Sequence, residues 1–159
     1  MIEVGFAAPD EADEITTLLR AVAAWSEAAG HLAWTTDLLQ TQITTAKIIA
    51  GEQFCARQAG RIVGAGRIEP EDPVYWPDRP SGEAFYLHRL AVARDVAGAG
   101  VADMMIQWAL TQVGRTGRPL ARLDCAPRPK LCALYERNGF RFVDERFAPF
   151  HVFRYERAV

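Results

Sequence analysis

The sequence lacks several features that would assign a protein quickly to a class. Its 159 residues contain only three cysteines, Cys55, Cys125 and Cys132, and no Cys-x-x-Cys pair, which argues against a disulfide framework and a zinc site. No apolar run approaches the roughly 20 residues needed to cross a bilayer. The formal net charge is only −2, so electrostatics do not point to nucleic acid. We therefore expect one globular domain over residues 1–159, with neither nucleic-acid nor membrane partners.

Targeting and metal-ligand patterns are also missing. The first residues, Met-Ile-Glu-Val-Gly-Phe, lack the basic start and long apolar stretch of a signal peptide, so we expect a cytoplasmic location. The three histidines, His31, His88 and His151, lie far apart in the sequence. Together with the cysteines they form no metal-ligand spacing, and the sequence predicts no metal ion.

Small residues crowd the junction between a predicted strand and a predicted helix. They are Ala97, Gly98, Ala99, Gly100 and Ala102. Such residues keep side chains away from a helix N-terminus, where backbone N–H groups and the positive end of the helix dipole suit phosphate or pyrophosphate. The alternative is a tight turn with close helix–strand packing. P-loop and dinucleotide motifs both fit poorly, because the required lysine is missing and the turn lies past the middle of the chain.

Hydrophobic periodicity predicts the order of the elements. Strands are predicted at residues 2–8, 53–58, 61–68, 84–93, 120–126, 140–146 and 150–157. Helices are predicted after a cap at Asp10, from Thr35 or Thr36, from about residue 101, and from Pro129 to Asn138 and Gly139. Four prolines exclude regular structure from residues 70–82. This order predicts a mixed α/β (α+β) fold with a mostly antiparallel sheet and a later βαβ crossover.

Two pairs of segments resemble the signatures of a known protein family. Residues 86–92 and 97–102 resemble the family's strand and Q/R-x-x-G-x-G/A pyrophosphate loop. Residues 122–125 and 134–140 resemble its strand and the helix that ends in L-Y-x-x-x-G-F. On these motifs the chain resembles the GNAT superfamily of acyl-CoA-dependent N-acetyltransferases. The resemblance covers most of the chain, most firmly residues 84–143. It implies a GNAT-like acetyltransferase domain with about seven strands, splayed fourth and fifth strands, and about four helices.

The resemblance also implies where acetyl-CoA, the co-substrate, would bind. The backbone of Leu90, Ala91 and Val92 would pair with the pantetheine arm like an added strand. The pyrophosphate would bind the amides of Ala97, Gly98, Ala99, Gly100, Val101 and Ala102. Tyr135 matches the family tyrosine that donates a proton to the departing thiolate, a sensible exchange between groups of comparable basicity. The alternative for Tyr135 is a core aromatic near the helix end.

Two positions depart from the family pattern. Ala97 stands where the pyrophosphate pattern begins with Arg or Gln, so one charge-assisted contact is missing while the backbone donors remain. Arg128 stands seven residues before Tyr135, where many members carry Asn. Our hypothesis is that Arg128 or Lys130 contacts a CoA phosphate instead.

The acceptor amine must lose a proton, so a general base is expected. His88 is one candidate because histidine titrates near neutrality, although a structural histidine bonded to a backbone carbonyl fits equally well. Glu83, at the start of the same strand, is a second candidate. The resemblance does not decide between them, because the family lacks one fixed base.

Acceptor binding is predicted to involve aromatic and acidic side chains. The aromatic candidates are Trp34, Trp76 and Tyr86, and Tyr86 shares a strand face with His88. The loop before the fourth strand adds Glu69, Glu71, Asp72 and Asp78. This combination suits a cationic amine. The alternative is a solvated loop with Trp34 or Trp76 folded onto the core.

The function implied by the resemblance is transfer of an acetyl group from acetyl-CoA to a primary amine of a small molecule or peptide, by direct nucleophilic attack. The alternative is a non-catalytic acyl-CoA-binding sensor or regulatory module, which would explain the missing contact at Ala97. Aromatic and aliphatic residues in the closing strands form either a homodimer seam or part of the core. They are Phe147, Phe150, Val152 and Phe153.

Overall fold

Seven strands and four α-helices follow one another in the computed structural model, which describes residues 1–31 and 34–159. The strands are β1 (Ile2–Phe6), β2 (Gln53–Gln58), β3 (Arg61–Glu69), β4 (Ala84–Val92), β5 (Leu120–Cys125), β6 (Arg141–Arg146) and β7 (Val152–Ala158). The helices are α1 (Ala12–Ala28), α2 (Thr41–Ile49), α3 (Val101–Arg115) and α4 (Pro129–Arg137). No helix among the described residues is both long and apolar enough to cross a membrane.

The strands form one sheet in the order β1-β2-β3-β4-β5-β7-β6. The pairs β1/β2, β2/β3, β5/β7 and β6/β7 are antiparallel, whereas β4 and β5 are parallel. The register of β4 on β5 runs only from Ala84 with Leu120 to Leu87 with Leu123, although β4 continues to Val92. The predicted mixed, mostly antiparallel sheet of seven strands is confirmed.

The β2–β3 hairpin follows from two residues with positive φ. Ala59 has φ 50° and Gly60 has φ 77°. A two-residue turn of this kind matches the right-handed twist of the flanking strands. The dipeptide Ala59-Gly60 therefore pairs Gln58 with Arg61, and a bulge between Ala56 and Arg57 then shifts the register by one residue and places Phe54 opposite Gly66.

Two helix starts differ from the sequence prediction. Asp10 does not cap α1, because a 3-10 turn over Pro9–Glu11 precedes the helix and Glu11 accepts a hydrogen bond from the Ala8 amide at 2.7 Å. Residues 36–38 also form only a 3-10 turn, and α2 begins at Thr41. The carbonyl of Leu39 accepts a hydrogen bond from Arg20 Nε at 2.7 Å. This tertiary contact gives the carbonyl a partner outside any helix.

Contacts divide the chain into two compact units. The first comprises Met1–Arg67 and Arg89–Met105, and the second comprises Ile68–His88 and Ile106–Val159. The core of the first unit includes Ile15, Leu19, Cys55, Ile62 and Ala65. The second contains a smaller cluster of Trp76, Ala84 and Tyr86. A single functional domain over residues 1–159 stays a prediction.

Gly66 gives a direct test of packing in the first unit. A Cβ at Gly66 would lie 2.8 Å from Cε1 of Phe54, a residue that is fully buried. Because the ring is enclosed, we expect Gly66→Ala to lower the free energy of unfolding by about 1–3 kcal/mol. Urea denaturation measures this change.

A glycine with free space around it provides the control. A Cβ at Gly114, inside α3, would meet nothing within 4 Å. Since glycine is a poor helix residue, Gly114→Ala should raise stability by roughly 0.5–1 kcal/mol. Equal unfolding midpoints for wild type and Gly66→Ala would show that Phe54 can move aside.

Candidate active site

The glycine turn between β4 and α3 lies in the first unit. Gly98 has φ +84° and Gly100 has φ +80°, and a Cβ at either position would meet nothing within 4 Å. Helix α3 begins directly afterwards, at Val101. The first amides of a helix have no intrahelical acceptor. The turn therefore combines open space with backbone donors and the positive end of a helix dipole, as an anion site requires.

Two of the six predicted donor amides already have partners within the turn. Ala97 N donates to the Arg94 carbonyl at 3.3 Å, and Ala99 N donates to the Val96 carbonyl at 3.2 Å. The donors that remain for a ligand are the amides of Gly98, Gly100, Val101 and Ala102. Glycine is needed at residues 98 and 100 because L side chains rarely adopt such φ angles.

Side chains hold the 3-10 turn Arg94–Val96 that precedes the glycines. Asp95 forms an ion pair with Arg61 at 2.8 Å, and the hydrogen bond from that guanidinium lowers the pKa of Asp95. Arg94 places its guanidinium 3.6 Å from the centre of the Trp25 ring. The turn is therefore fixed to β3 and α1 of the same unit.

Arg89 lies within β4 with an irregular backbone conformation, just before the residues predicted to bind pantetheine. Its φ is +53°, a left-handed conformation that costs a non-glycine residue about 1 kcal/mol or more. Its guanidinium lies 5.5 Å from the ring of Trp34, which packs against the core of the first unit. Such an irregularity redirects the residues that follow it, Leu90, Ala91 and Val92. The sequence does not predict the positive φ of Arg89, because arginine has no preference for positive φ.

Tyr135 lies on α4 in the second unit and is 8% exposed. Its ring packs edge-on against Phe140 at 6.0 Å and lies 6.4 Å from the ring of Tyr155. Burial raises the pKa of the Tyr135 hydroxyl, and the nearby Cys125 and Asp124 raise it further. The hydroxyl consequently keeps its proton at physiological pH and can act only as a proton donor until it has given that proton away.

Arg128 is the residue that precedes α4, and its carbonyl accepts the hydrogen bond of Cys132 N at 3.0 Å. Its positive charge partly offsets the rise in the pKa of Tyr135. Nε of Arg128 is buried and donates to no acceptor among the described residues. A buried donor of this kind commonly marks a place where a ligand or water oxygen binds.

His88 lies among carboxylates, all within the second unit. Its Nε2 atom is 3.5 Å from Glu69 Oε2 and 3.5 Å from Asp72 Oδ2. Ligand atoms of Asp72, His88 and Asp124 all lie within 4.8 Å of one another. We call Glu69, Asp72, His88 and Asp124 the His88 cluster. It concentrates negative charge around an imidazole, which favours a cation.

Asp72 is firmly held within the His88 cluster. It is 6% exposed, and its Oδ1 accepts hydrogen bonds from the amides of Val74 at 3.1 Å and Tyr75 at 3.0 Å. These bonds direct Oδ2 toward His88. Asp124 was not among the residues that sequence analysis selected; its position near the end of β5, a strand parallel to β4, is the signal that could have found it.

The structure brings Glu83, Tyr86 and Trp76 together around Arg122. The buried guanidinium of Arg122 is hydrogen-bonded to Glu83, and its Nη1 donates to the Tyr86 hydroxyl at 3.4 Å. It also lies 5.0 Å from the centre of the Trp76 ring. Tyr86 and Trp76 are themselves buried, and the carboxylate of Glu83 is held in an ion pair.

Asp78 is likewise held by arginines. It accepts from Arg154 at 2.6 Å and pairs with Arg146 at 2.8 Å. The hydrogen bond from Arg154 holds the pKa of Asp78 well below its usual range. Among the acidic residues of the loop before β4, Asp72 therefore faces His88 while Asp78 joins a structural ion pair.

Comparison with known proteins assigns the chain to a family. A family model described as an acetyltransferase (GNAT) domain matches residues 50–142. The uncharacterized N-acetyltransferase YesJ of Bacillus subtilis (strain 168) is 31% identical over 154 residues, covering 92% of this chain and 86% of that protein. The chain therefore belongs to the GNAT superfamily and is an acetyltransferase, as the sequence resemblance predicts.

Solved structures agree with this assignment. A GNAT-family acetyltransferase from Listeria monocytogenes 4b F2365 superposes with a TM-score of 0.81 at 28% identity, covering 99% of this chain and 95% of that one. The PaiA N-acetyltransferase from Thermoplasma acidophilum, in complex with coenzyme A, gives a TM-score of 0.83 at 13% identity, covering 100% and 99%. At that identity the second likeness concerns the fold alone.

Proposed function

We propose that this acetyltransferase moves the acetyl group of acetyl-CoA to the primary amine of a cationic small molecule or peptide. The observation that carries the proposal is the His88 cluster, in which an imidazole nitrogen lies 3.5 Å from each of two carboxylates. A third carboxylate, from Asp124, completes the cluster. Acidic groups attract an ammonium ion, and an imidazole can accept the proton that the ammonium must lose.

Acetyl-CoA is the acetyl donor in this proposal. Support comes from the open glycine turn, where the amides of Gly98, Gly100, Val101 and Ala102 would bind the pyrophosphate. The backbone of residues 90–92 would pair with the pantetheine arm. The buried Nε of Arg128 offers a further donor for an oxygen of CoA. The coenzyme A complex of the PaiA protein supports the same ligand class.

The acceptor nitrogen attacks only in its neutral form, because the lone pair of an ammonium ion is occupied by a proton. The carboxylates of Glu69 and Asp72 would bind and orient the incoming cation. His88 Nε2 would then take the proton, directly or through a water molecule. The amine nitrogen forms the new C–N bond to the thioester carbonyl carbon, and the C–S bond breaks.

Tyr135 would protonate the departing thiolate. The raised pKa of its hydroxyl keeps the proton in place until the sulfur becomes negatively charged. The products are then an amide and free CoA thiol. The acceptor nitrogen gives up two protons, the first to His88 before attack and the second to solvent water as the amide forms, while Tyr135 gives one proton to the sulfur. Solvent exchange returns both groups to their starting states.

Ligand-induced thermal stabilisation tests whether the protein binds acetyl-CoA, the proposed acetyl donor. At about 100 times its Kd, acetyl-CoA should add about 2.7 kcal/mol to the free energy of unfolding, which raises the Tm by several degrees in a protein of this size. ATP and NAD serve as controls because they also carry pyrophosphate. A shift with acetyl-CoA alone, followed by thiol release with diamines, supports the proposal; equal shifts with all three ligands would contradict it.

Asp72→Asn tests the acceptor site. Asparagine keeps an oxygen for the amides of Val74 and Tyr75 but removes the charge that faces His88. We expect the KM for a cationic amine to rise roughly tenfold or more, the value of a hydrogen bond to a charged group. Initial rates of thiol release at saturating acetyl-CoA measure this.

Glu71→Gln is the matched control from the same loop. Glu71 is exposed and accepts a hydrogen bond from Ser81, so its charge lies outside the His88 cluster. Its substitution should leave the KM unchanged. A similar rise in KM for both variants would indicate a general effect of loop charge.

A further inference from the structure

We propose that Asp72, His88 and Asp124 form a binding site for a divalent cation of the zinc type. The site shares Asp72 and His88 with the acceptor site proposed above, but the inference concerns metal binding alone and its test does not depend on acetyl transfer. Sequence spacing did not predict it, because the three residues come from the loop before β4, from β4 itself and from β5. The fold brings them together.

The separations of the ligand atoms fit a small cation. His88 Nε2 lies 3.5 Å from Asp72 Oδ2 and 3.5 Å from Glu69 Oε2. Zinc binds nitrogen and oxygen at about 2.0–2.2 Å in tetrahedral sites, so neighbouring ligands lie roughly 3.4 Å apart. The ligand atom of Asp124 lies within 4.8 Å of those of Asp72 and His88. Asp124 would supply the third ligand atom, and Glu69 would be a fourth donor.

A second observation points to a ligand at this place. Asp72 is 94% buried, judged from its 6% exposure, yet its Oδ2 accepts no hydrogen bond from the described residues. Leaving a buried carboxylate oxygen without a donor is unfavourable. A metal ion at the centre of the cluster would satisfy it.

The surroundings of Asp72 are those of a prepared ligand. The amides of Val74 and Tyr75 both donate to Oδ1, which fixes the plane of the carboxylate and directs Oδ2 to His88. Hydrogen bonds of this kind orient metal ligands and raise affinity. They also mean that little side-chain freedom is lost when a cation binds.

The types of ligand atom at this site favour some metal ions over others. One imidazole with two or three carboxylates matches the nitrogen and oxygen ligands of zinc. Magnesium prefers six oxygens in an octahedron and binds imidazole poorly. Two carboxylates and a neutral imidazole also balance the charge of a divalent ion. Zinc bound here would occupy His88 Nε2.

Isothermal titration calorimetry of the chelator-treated full chain with zinc chloride tests the inference. We expect one saturable site per chain, retained in the presence of excess magnesium. Asp72→Asn and His88→Gln should each weaken zinc binding by roughly tenfold or more. Asp72→Asn keeps the acceptor for the two amides, and an unchanged Tm without metal confirms that it folds; Asp124→Asn provides an independent third variant.

Two control variants distinguish this site from other zinc ligands. His151 and Glu145 form an exposed pair at 2.7 Å, and Cys132 is a partly exposed free thiol. Glu145→Gln and Cys132→Ser should both retain wild-type zinc affinity. The inference is overturned if no one-to-one binding occurs, if binding survives in Asp72→Asn and His88→Gln, or if either control variant abolishes it.

Discussion

Tyr135→Phe should lower kcat by roughly 100-fold or more, the usual contribution of a general acid, and leave the Kd for acetyl-CoA almost unchanged. Phenylalanine keeps the ring that packs against Phe140 and Tyr155, so the variant loses only the hydroxyl. Without that proton donor, the thiolate must leave unprotonated or take a proton from water. Initial rates of thiol release give kcat, and titration calorimetry gives the Kd.

Tyr155→Phe is the matched control for this result. Tyr155 is also buried, and its hydroxyl donates to Glu136 Oε1 at 3.0 Å. Removing this hydroxyl should reduce stability by about 1 kcal/mol without changing kcat. A kcat for Tyr135→Phe within twofold of wild type would mean that another group protonates the sulfur. If both variants lose activity equally, the cause is packing rather than acid catalysis.

Arg154→Ala should produce the largest loss of stability. The fully buried Arg154 guanidinium donates to Asp144 at 2.6 and 2.7 Å, to Asp78 at 2.6 and 3.2 Å, and to the Tyr75 carbonyl at 3.0 Å. It also lies 4.3 Å from the centre of the Trp76 ring. Removing one partner of a buried ion pair costs about 3–5 kcal/mol. We expect about 3 kcal/mol, because the Asp78 and Asp144 side chains are 40% and 45% exposed.

The loss of stability caused by Arg154→Ala should depend on pH. Hydrogen bonds from Arg154 lower the pKa values of Asp78 and Asp144 in the folded protein. Lowered carboxyl pKa values stabilise the fold above the unfolded-state pKa of about 3.9, and the contribution is lost as the pH falls below that value. The difference in free energy of unfolding between wild type and Arg154→Ala should therefore be largest near pH 7 and smaller at pH 3. Urea denaturation at both pH values measures it.

Arg146→Ala separates buried from exposed ion pairing. Arg146 contacts the same Asp78 at 2.8 Å, but its side chain is 38% exposed. Exposed pairs contribute about 0–1 kcal/mol, so this variant should unfold close to wild type. If Arg146→Ala and Arg154→Ala lose equal stability, burial of Arg154 does not determine the size of the effect.

Local signals were sufficient for much of the fold. Hydrophobic alternation located β2 at residues 53–58, and the structure has the same bounds. Pro129 and Gly139 correctly marked the two ends of α4, where Gly139 has φ +83°. These signals are reliable because a proline at the first helical position and a glycine after the last turn act on their own backbone.

Other local signals were overridden by distant contacts. The predicted start of α2, Thr35 or Thr36, was five or six residues too early, because the Leu39 carbonyl binds Arg20. The positive φ of Arg89 had no signal, since no local preference of arginine produces it. Trp76 and Asp78 were considered for the acceptor site, but both contact Arg154, a residue 76 positions after Asp78. Only the folded chain shows which acidic side chains have arginine partners.

The sequence by itself determined the family and the order of the elements, and it located the glycine turn before α3 and Tyr135 within α4, because each depends on residues close together in the chain. The catalytic role of Tyr135 stays a prediction. The tertiary structure decided which charged groups meet. Arg122 and Arg154 bind Glu83 and Asp78, whereas Asp72, Asp124 and His88 lie together. Electrostatic interactions act through space and depend on burial. Their partners therefore follow from strand pairing and loop packing, which the spacing of residues in a sequence does not contain.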